Sequence, residues 1–263
     1  MSSELKLVNI TKKFEADTMN EKVALDHLSL TVKPGEFVTV LGSNGSGKST
    51  MFNVILGSIF PDEGKIFLGG KDITKQKDYK RALNIGCLFQ NPLRGTAPNL
   101  TIEENLALAY TRKASPSFFA LNKKDSAYFR EVLSTLGMGL EDRMKTKMGL
   151  LSGGQRQAAS LLMATIAKPE LLLLDEHTAA LDPGAAQKVM ELTKKIVEES
   201  KITTLMITHD MDYALEYGSR TIMLDAGKIV MDLTGNERKE MTTGRLAELF
   251  YGKSRRKKEN GFS

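Results

Sequence analysis

The sequence predicts an α/β fold with a mainly parallel sheet, a small antiparallel β subdomain at the N-terminus and a helical subdomain inserted in the middle. Three observations carry this expectation. The run FVTVLG (37–42) is apolar and rich in β-branched residues, as suits a strand buried on both faces, and it feeds directly into the glycine-rich loop GSNGSGKST (42–50). Two further short apolar runs, LLLLDE (171–176) and TTLMITHD (203–210), alternate with helical patterns, as in a parallel sheet joined by crossovers. From Thr101 to about Lys168 that alternation stops and the pattern is helical.

In chain order, Leu5, Leu7 and Val8 followed by ITKKF read as a first strand. VALDHLSLTV and FVTVLG read as a strand pair joined by the turn KPGE, where Pro34 and Gly35 supply the turn chemistry. STMFNVILGSIF reads as the helix behind the glycine loop, and KIFLGG and NIGCLFQ as short strands. TIEENLALAY opens with a Thr cap and first-turn Glu residues that suit the helix dipole. DSAYFREVLSTLGM has helical apolar spacing, and QRQAASLLMATIA predicts the helix that closes the insert. GAAQKVMELTKKIVEES is amphipathic, with Val189, Leu192, Ile196 and Val197 on its apolar face. RTIMLDAGKIVMDL predicts a hairpin turning at Asp225 to Gly227, and TTGRLAELF a closing helix.

At 263 residues, 41% hydrophobic and 26% charged, the chain suits a domain with a sizeable core spanning residues 4–250, followed by a basic and disordered tail, 251–263. No apolar run is long enough to span a membrane, and MSSELKLVNI lacks the pattern of a signal peptide. One cysteine, Cys87, allows no internal disulfide and no zinc cluster; in IGCLF it reads as a small buried hydrophobe. The net charge is +5, part of it in KSRRKKENGFS. Such a run is most simply a solvated end, with attraction to anionic lipid headgroups or nucleic acid as the sharper alternative; no nucleic-acid partner is expected for the chain.

Three segments carry chemistry. Gly42 to Thr50 fits G-x-x-x-x-G-K-[ST] between a strand and a helix. Gly42, Ser43, Asn44, Gly45, Ser46, Gly47, Lys48, Ser49 and Thr50 would turn backbone N–H groups toward phosphate oxygens. Lys48 would reach the β- and γ-phosphates, and the Ser49 hydroxyl would ligate Mg²⁺. Asp175 ends a buried strand and Glu176 follows it; Asp175 would hold Mg²⁺ through water and Glu176 would act as general base toward the attacking water. LSGGQ, Leu151 to Gln155, opens a helix, so the Ser152 hydroxyl and the Gly153 and Gly154 amides form a second anion site.

LSGGQ between the other two segments resembles the signature of the ATP-binding cassette (ABC) family, over about residues 4–250. The resemblance implies an ATPase that binds ATP and Mg²⁺. It also implies that Ser152, Gly153, Gly154 and Gln155 of one copy cap the ATP held by the loop of a second copy. Gln90 in LFQNP resembles the glutamine that senses Mg²⁺ and couples to the transmembrane partner. His209 in MITHD resembles the switch histidine at the γ-phosphate, and Asp182 in AALDP the residue that bridges subunits. Phe14 in TKKF takes the place of the aromatic that stacks on adenine, although ADTMNEK after it is longer than in many relatives.

After Glu176 many family members have Pro or Ala, whereas this chain has His177. With LLSGGQRQA, LLMAT and NPLRGTA, DEHTAALDP resembles the ATPases of tryptophan/tyrosine importers. Those work with a membrane permease and an extracytoplasmic binding protein. The expectation is therefore the peripheral ATPase subunit of an importer, at the cytoplasmic face of the cell membrane. A solitary soluble cassette acting in cytosolic assembly remains the alternative. The chain ends soon after TTGRLAELF, so no substrate-sensing inhibition within this subunit is expected.

Overall fold

The computed structural model describes residues 2–15, 21–113 and 123–250. The basic tail and most of the ADTMNEK segment lie outside the described residues. Two compact units divide the chain. One comprises Glu4–Lys75 with Leu205–Ser263, the other Gln76–Thr204 with Met1–Ser3.

In the first unit, β1 (Leu5–Phe14), β2 (Lys22–Val32), β4 (Glu63–Leu68) and β5 (Lys71–Asp72) make an antiparallel sheet in the order β2-β1-β4-β5. This is the antiparallel β portion expected at the N-terminus. β3 (Phe37–Gly42) is buried at all six positions. The KPGE turn forms, with the Glu36 amide donating to the Lys33 carbonyl at 3.0 Å. β2 and β3, however, enter different sheets, so they are not the pair the sequence suggests. The reason is side-chain period. β2 alternates and can cover one face of an antiparallel sheet, whereas six consecutive buried residues need neighbours on both faces. β3 runs parallel to β9 (Arg220–Asp225), with Val40 opposite Ile222. α1 (Lys48–Leu56) follows the glycine loop and stops at Gly57, which takes φ 80° and donates its amide to the Asn53 carbonyl.

The second unit holds α2 (Asp78–Arg81), β6 (Ile85–Leu88), α3 (Ile102–Tyr110), α4 (Lys123–Ser134), α5 (Gly153–Thr165), β7 (Leu171–Asp175) and α6 (Pro183–Ser200). β6 and β7 are parallel, with Leu88 opposite Leu174. α3 starts at a capping box: the Glu104 amide donates to the Thr101 hydroxyl, and the Glu104 carboxylate accepts from the Thr101 amide. The stretch expected to be helical contains α3, α4 and α5, with turns and a 3-10 segment between the last two. Ile102 and Leu106 of α3, Phe129 and Leu133 of α4, and Ala158 and Leu162 of α5 share one apolar core, completed by Leu140, Met144 and Met148 from those turns. On α6, Val189 and Val197 are buried and Leu192 and Ile196 half-buried, as the periodicity requires; Met190 and Thr193 join them.

β8 (Thr203–Ile207) leads back to the first unit. There follow α7 (Met211–Glu216), β9, β10 (Lys228–Thr234), α8 (Gly235–Glu240) and a last helix, α9, over 243–250. β9 and β10 form the expected hairpin, with Asp225 opposite Lys228. Leu41, Ala214, Met223, Leu233 and Leu246 pack together beside it.

Candidate functional site

The glycine loop in the first unit is shaped by close approach. An added Cβ at Gly42 would meet the Ser46 Oγ at 2.4 Å and the Leu224 carbonyl at 2.6 Å. Gly47, the N-cap of α1, has φ 108°, and a Cβ there would meet the Ala24 carbonyl at 2.5 Å. The loop is also braced from a distant part of the sequence. Gly227, in the β9–β10 turn, donates its amide to the Ser46 carbonyl at 2.9 Å and accepts from the Asp26 amide at 3.1 Å.

Lys48 is buried, and its ammonium donates to the Gly42 and Ser43 carbonyls at 2.7 and 3.0 Å. A cation is thus held within the loop at the start of α1, where the helix dipole adds positive potential. Ser43 and Thr50 are half-buried, and Asn44, Gly45 and Ser49 are exposed. Ser46 Oγ is buried with no hydrogen-bond partner. Loop amides, two neighbouring hydroxyls and one fixed ammonium form a donor set suited to a triphosphate, and the exposed Ser49 hydroxyl is an oxygen that could hold Mg²⁺.

Phe14 ends β1 with its ring partly exposed, and it stands opposite Lys22 across the β1–β2 ladder. The Lys22 ammonium lies 3.9 Å from where a Gly45 Cβ would be, so the strand facing Phe14 sends a cation to the glycine loop. A second cation, that of Lys12, lies over the Phe14 ring at 5.8 Å from its centroid. Lys22 was not singled out from the sequence, because only the β1–β2 pairing brings it opposite Phe14. His209 is exposed and follows Thr208, whose amide donates to the Val40 carbonyl at 3.2 Å. His209 therefore leaves the sheet beside the strand that opens the glycine loop.

The second unit gathers the remaining candidates. Parallel pairing of Leu88 with Leu174 sends both strands out at one edge, so Gln90 emerges alongside Asp175 and Glu176. Gln90 is exposed, and the next residue, Asn91, caps a 3-10 turn by accepting from the Leu93 amide at 3.0 Å. Asp175 and Glu176 are half-buried. Glu176 has φ 46°, a left-handed conformation uncommon outside glycine.

His177 is fully enclosed, and its Nε2 lies 3.1 Å from the Thr193 Oγ1. Thr193 gives its own proton to the Val189 carbonyl at 2.8 Å, so His177 Nε2 is the donor of that bond. Burial lowers the His177 pKa to about 4, which keeps the ring neutral. In the sequence His177 marked only a subgroup; nothing local pointed to Thr193, sixteen residues on.

Ser152 is the N-cap of α5, accepting from the Gln155 amide at 3.3 Å, while the Gln155 side chain accepts from the Ser152 amide at 3.4 Å. The hydroxyl oxygen serves the helix, and its proton can be offered to an anion. Gly153 and Gly154 have a packing role the sequence did not announce. A Cβ on Gly153 would lie 3.1 Å from Leu181 Cδ2, and one on Gly154 would lie 2.9 Å from Ala185 Cβ. The LSGGQ helix thus begins hard against the start of α6, where Asp182 caps by accepting from the Ala185 amide at 3.0 Å. Cys87 is half-buried in the wall of a cavity of about 390 Å³, beside Arg94, whose guanidinium lies over the Phe89 ring at 5.0 Å from its centroid.

The sequence pattern of the ABC transporter family matches residues 25–179. The chain is 40% identical over 246 residues to a tyrosine transport ATP-binding protein of Clostridioides difficile, covering 94% of this chain and 98% of that one. It is 36% identical over 226 residues to a methionine import ATP-binding protein of Corynebacterium efficiens, covering 84% of this chain but 60% of the relative. Among solved structures, a dimeric ATP-binding cassette in a post-hydrolysis state with ADP and Pi superposes with a TM-score of 0.75 at 32% identity, covering 88% of this chain and 98% of that one.

Proposed function

Because the chain belongs to the ABC transporter family and is an ATP-binding ATPase, we propose that two copies close around two ATP to drive a transmembrane permease that imports an amino acid or similar small solute. The observation that carries the reading is the presence, on one chain, of two sites suited to phosphate. One is the glycine loop with Lys48; the other is the capped start of α5 at Ser152. One γ-phosphate needs only one of them from each chain, so the second site is complete when another copy supplies the nucleotide. The tyrosine and methionine transport relatives support the amino-acid assignment. No helix among the described residues is long and apolar enough to cross a membrane.

In this reading Phe14 stacks on adenine, and the amides of residues 42–50 with Lys48 hold the β- and γ-phosphates. Mg²⁺, held by the Ser49 hydroxyl, Gln90 and a water on Asp175, would neutralise charge on the phosphate oxygens. Glu176 accepts a proton as the water adds to the γ-phosphorus, and the bond to the β–γ bridging oxygen breaks to leave ADP and phosphate. His209 donates a hydrogen bond to the γ-phosphate. Ser152, Gly153, Gly154 and Gln155 cap that phosphate from the second copy, with Asp182 at the subunit boundary. Closure moves the permease between its two states, and hydrolysis reopens the pair. An extracytoplasmic binding protein would deliver the solute.

The Glu176→Gln variant tests this reading. It should bind ATP, lose turnover and run as a dimer by size exclusion with light scattering. A variant that stays monomeric in saturating ATP and Mg²⁺ would sink the two-copy arrangement.

A further inference from the structure

The Glu176 backbone is held in a conformation that a glutamate does not choose. Its φ of 46° is left-handed, and such residues persist only where their surroundings over-determine them. The restraints can be traced within the second unit. On one side, Asp175 ends β7, fixed by the β6–β7 ladder. On the other, the Ala179 amide donates to the Glu176 carbonyl at 3.0 Å, and the Leu181 amide to the Thr178 carbonyl at 3.1 Å. Asp182 then caps α6. Those bonds shape the turn, and His177 ties it to the body of α6. Its ring is sealed from solvent, three turns into α6 at Thr193, and the Thr193 hydroxyl can only accept from it because its proton is committed to Val189.

Glu176 and His177 are successive residues, so rotation about their shared peptide couples the aim of one side chain to the seat of the other. A buried imidazole N–H without an acceptor would be costly, so the ring has one seat only. We propose that His177 is a positioning residue for hydrolysis: its Nε2–H···Oγ1 bond to Thr193 locks the left-handed turn at Glu176 and thereby fixes the direction of the Glu176 carboxylate. The inference rests on the reading of Glu176 as general base. His177 itself neither touches nucleotide nor exchanges a proton in the reaction.

The experiment is steady-state ATP hydrolysis by the full chain for Thr193→Val, Thr193→Ser, Glu176→Gln and the double variant Thr193→Val with Glu176→Gln. Thr193→Val keeps the shape of the side chain and removes the acceptor. It should lower kcat about tenfold with KM for ATP within about twofold, because general-base geometry is disturbed and binding is not. Thr193→Ser restores a hydroxyl and should keep kcat within about twofold of the parent. In the Glu176→Gln background, adding Thr193→Val should leave the residual rate unchanged, since the group being aimed is already gone.

Full kcat in a folded Thr193→Val protein, a loss carried by KM, or a further drop in the double variant would each overturn the positioning role. Failure of the underlying reading looks different: Glu176→Gln would itself hydrolyse ATP at the parental rate. Should Thr193→Val fail to fold, His177→Leu against His177→Gln asks the same question, with the Gln amide replacing the imidazole donor and the same outcomes deciding.

Discussion

His177 is buried and Cys87 half-buried, and for both the loss of solvent predicts a side chain silent near neutral pH. For His177 the folded pKa of about 4 lies below the ordinary value of 6.5. Above pH 6.5 the ring is neutral in folded and unfolded chains alike and costs nothing. As pH falls from 6.5 toward 4 the unfolded chain takes up a proton that the folded chain refuses, so stability is lost across that window, by about 3 kcal/mol in all. Urea unfolding of the parent and of His177→Gln at a series of pH values should therefore diverge between pH 6.5 and 4. Parallel curves would mean the ring ionises in place.

For Cys87, burial foremost and the Asp175 charge next push the thiol up to about 12, with Arg94 opposing. Iodoacetamide at pH 8 should modify native protein at least about a hundredfold more slowly than urea-unfolded protein, because the thiolate is the nucleophile. Equal rates would place the sulfur in solvent. The sequence made Cys87 a small buried hydrophobe; the structure leaves it half-buried, because its side of β6 faces a cavity rather than packed core.

Two helices carry glycine in their first turn in opposite surroundings, and substitution separates them. At the start of α5, a Cβ on Gly154 collides with Ala185 at 2.9 Å; in the first turn of α9, a Cβ on Gly244 meets nothing within 4 Å. Gly154→Ala should lose about 1–2 kcal/mol from overpacking, less what the better helix former returns. Gly244→Ala should be neutral or gain up to about 1 kcal/mol. Chemical unfolding measures both, and a stabilised Gly154→Ala would show that α5 and α6 do not press together there. From sequence both residues were glycines near a helix start. The helices themselves were legible, because caps such as Thr101 and the apolar period of α6 are local. The fate of the KPGE turn was not. Its chemistry allows a reversal, but which sheet each strand joins depends on partners such as Arg220–Asp225, far along the chain.

For the assembly as a whole, the transporter reading predicts that the tagged chain, extracted from its own membranes in mild detergent, brings down a polytopic membrane protein in stoichiometric amount. Recovery solely from the soluble fraction would instead favour a cassette acting in cytosolic assembly. The basic segment 251–263 bears on membrane attraction only through its charge, which salt would screen. Raising ionic strength should therefore leave a permease-bound fraction in place while releasing any held by headgroups.

The residues that could be read from the sequence were those whose chemistry depends on near neighbours. Gly42 to Thr50 needs only a strand before it and a helix after it; LSGGQ needs only the helix it caps; Asp175 and Glu176 need only the end of a buried strand. Those requirements are met within a few residues, so the pattern carries them. The tertiary structure alone decided that Gly227 braces the glycine loop, that Lys22 reaches Gly45 from opposite Phe14, that Gly154 leaves room for Ala185, and that His177 is seated on Thr193. Each is a contact between segments brought together by folding. Its energy comes from excluding water around groups that have no local partner, and no local rule of sequence encodes which distant group arrives.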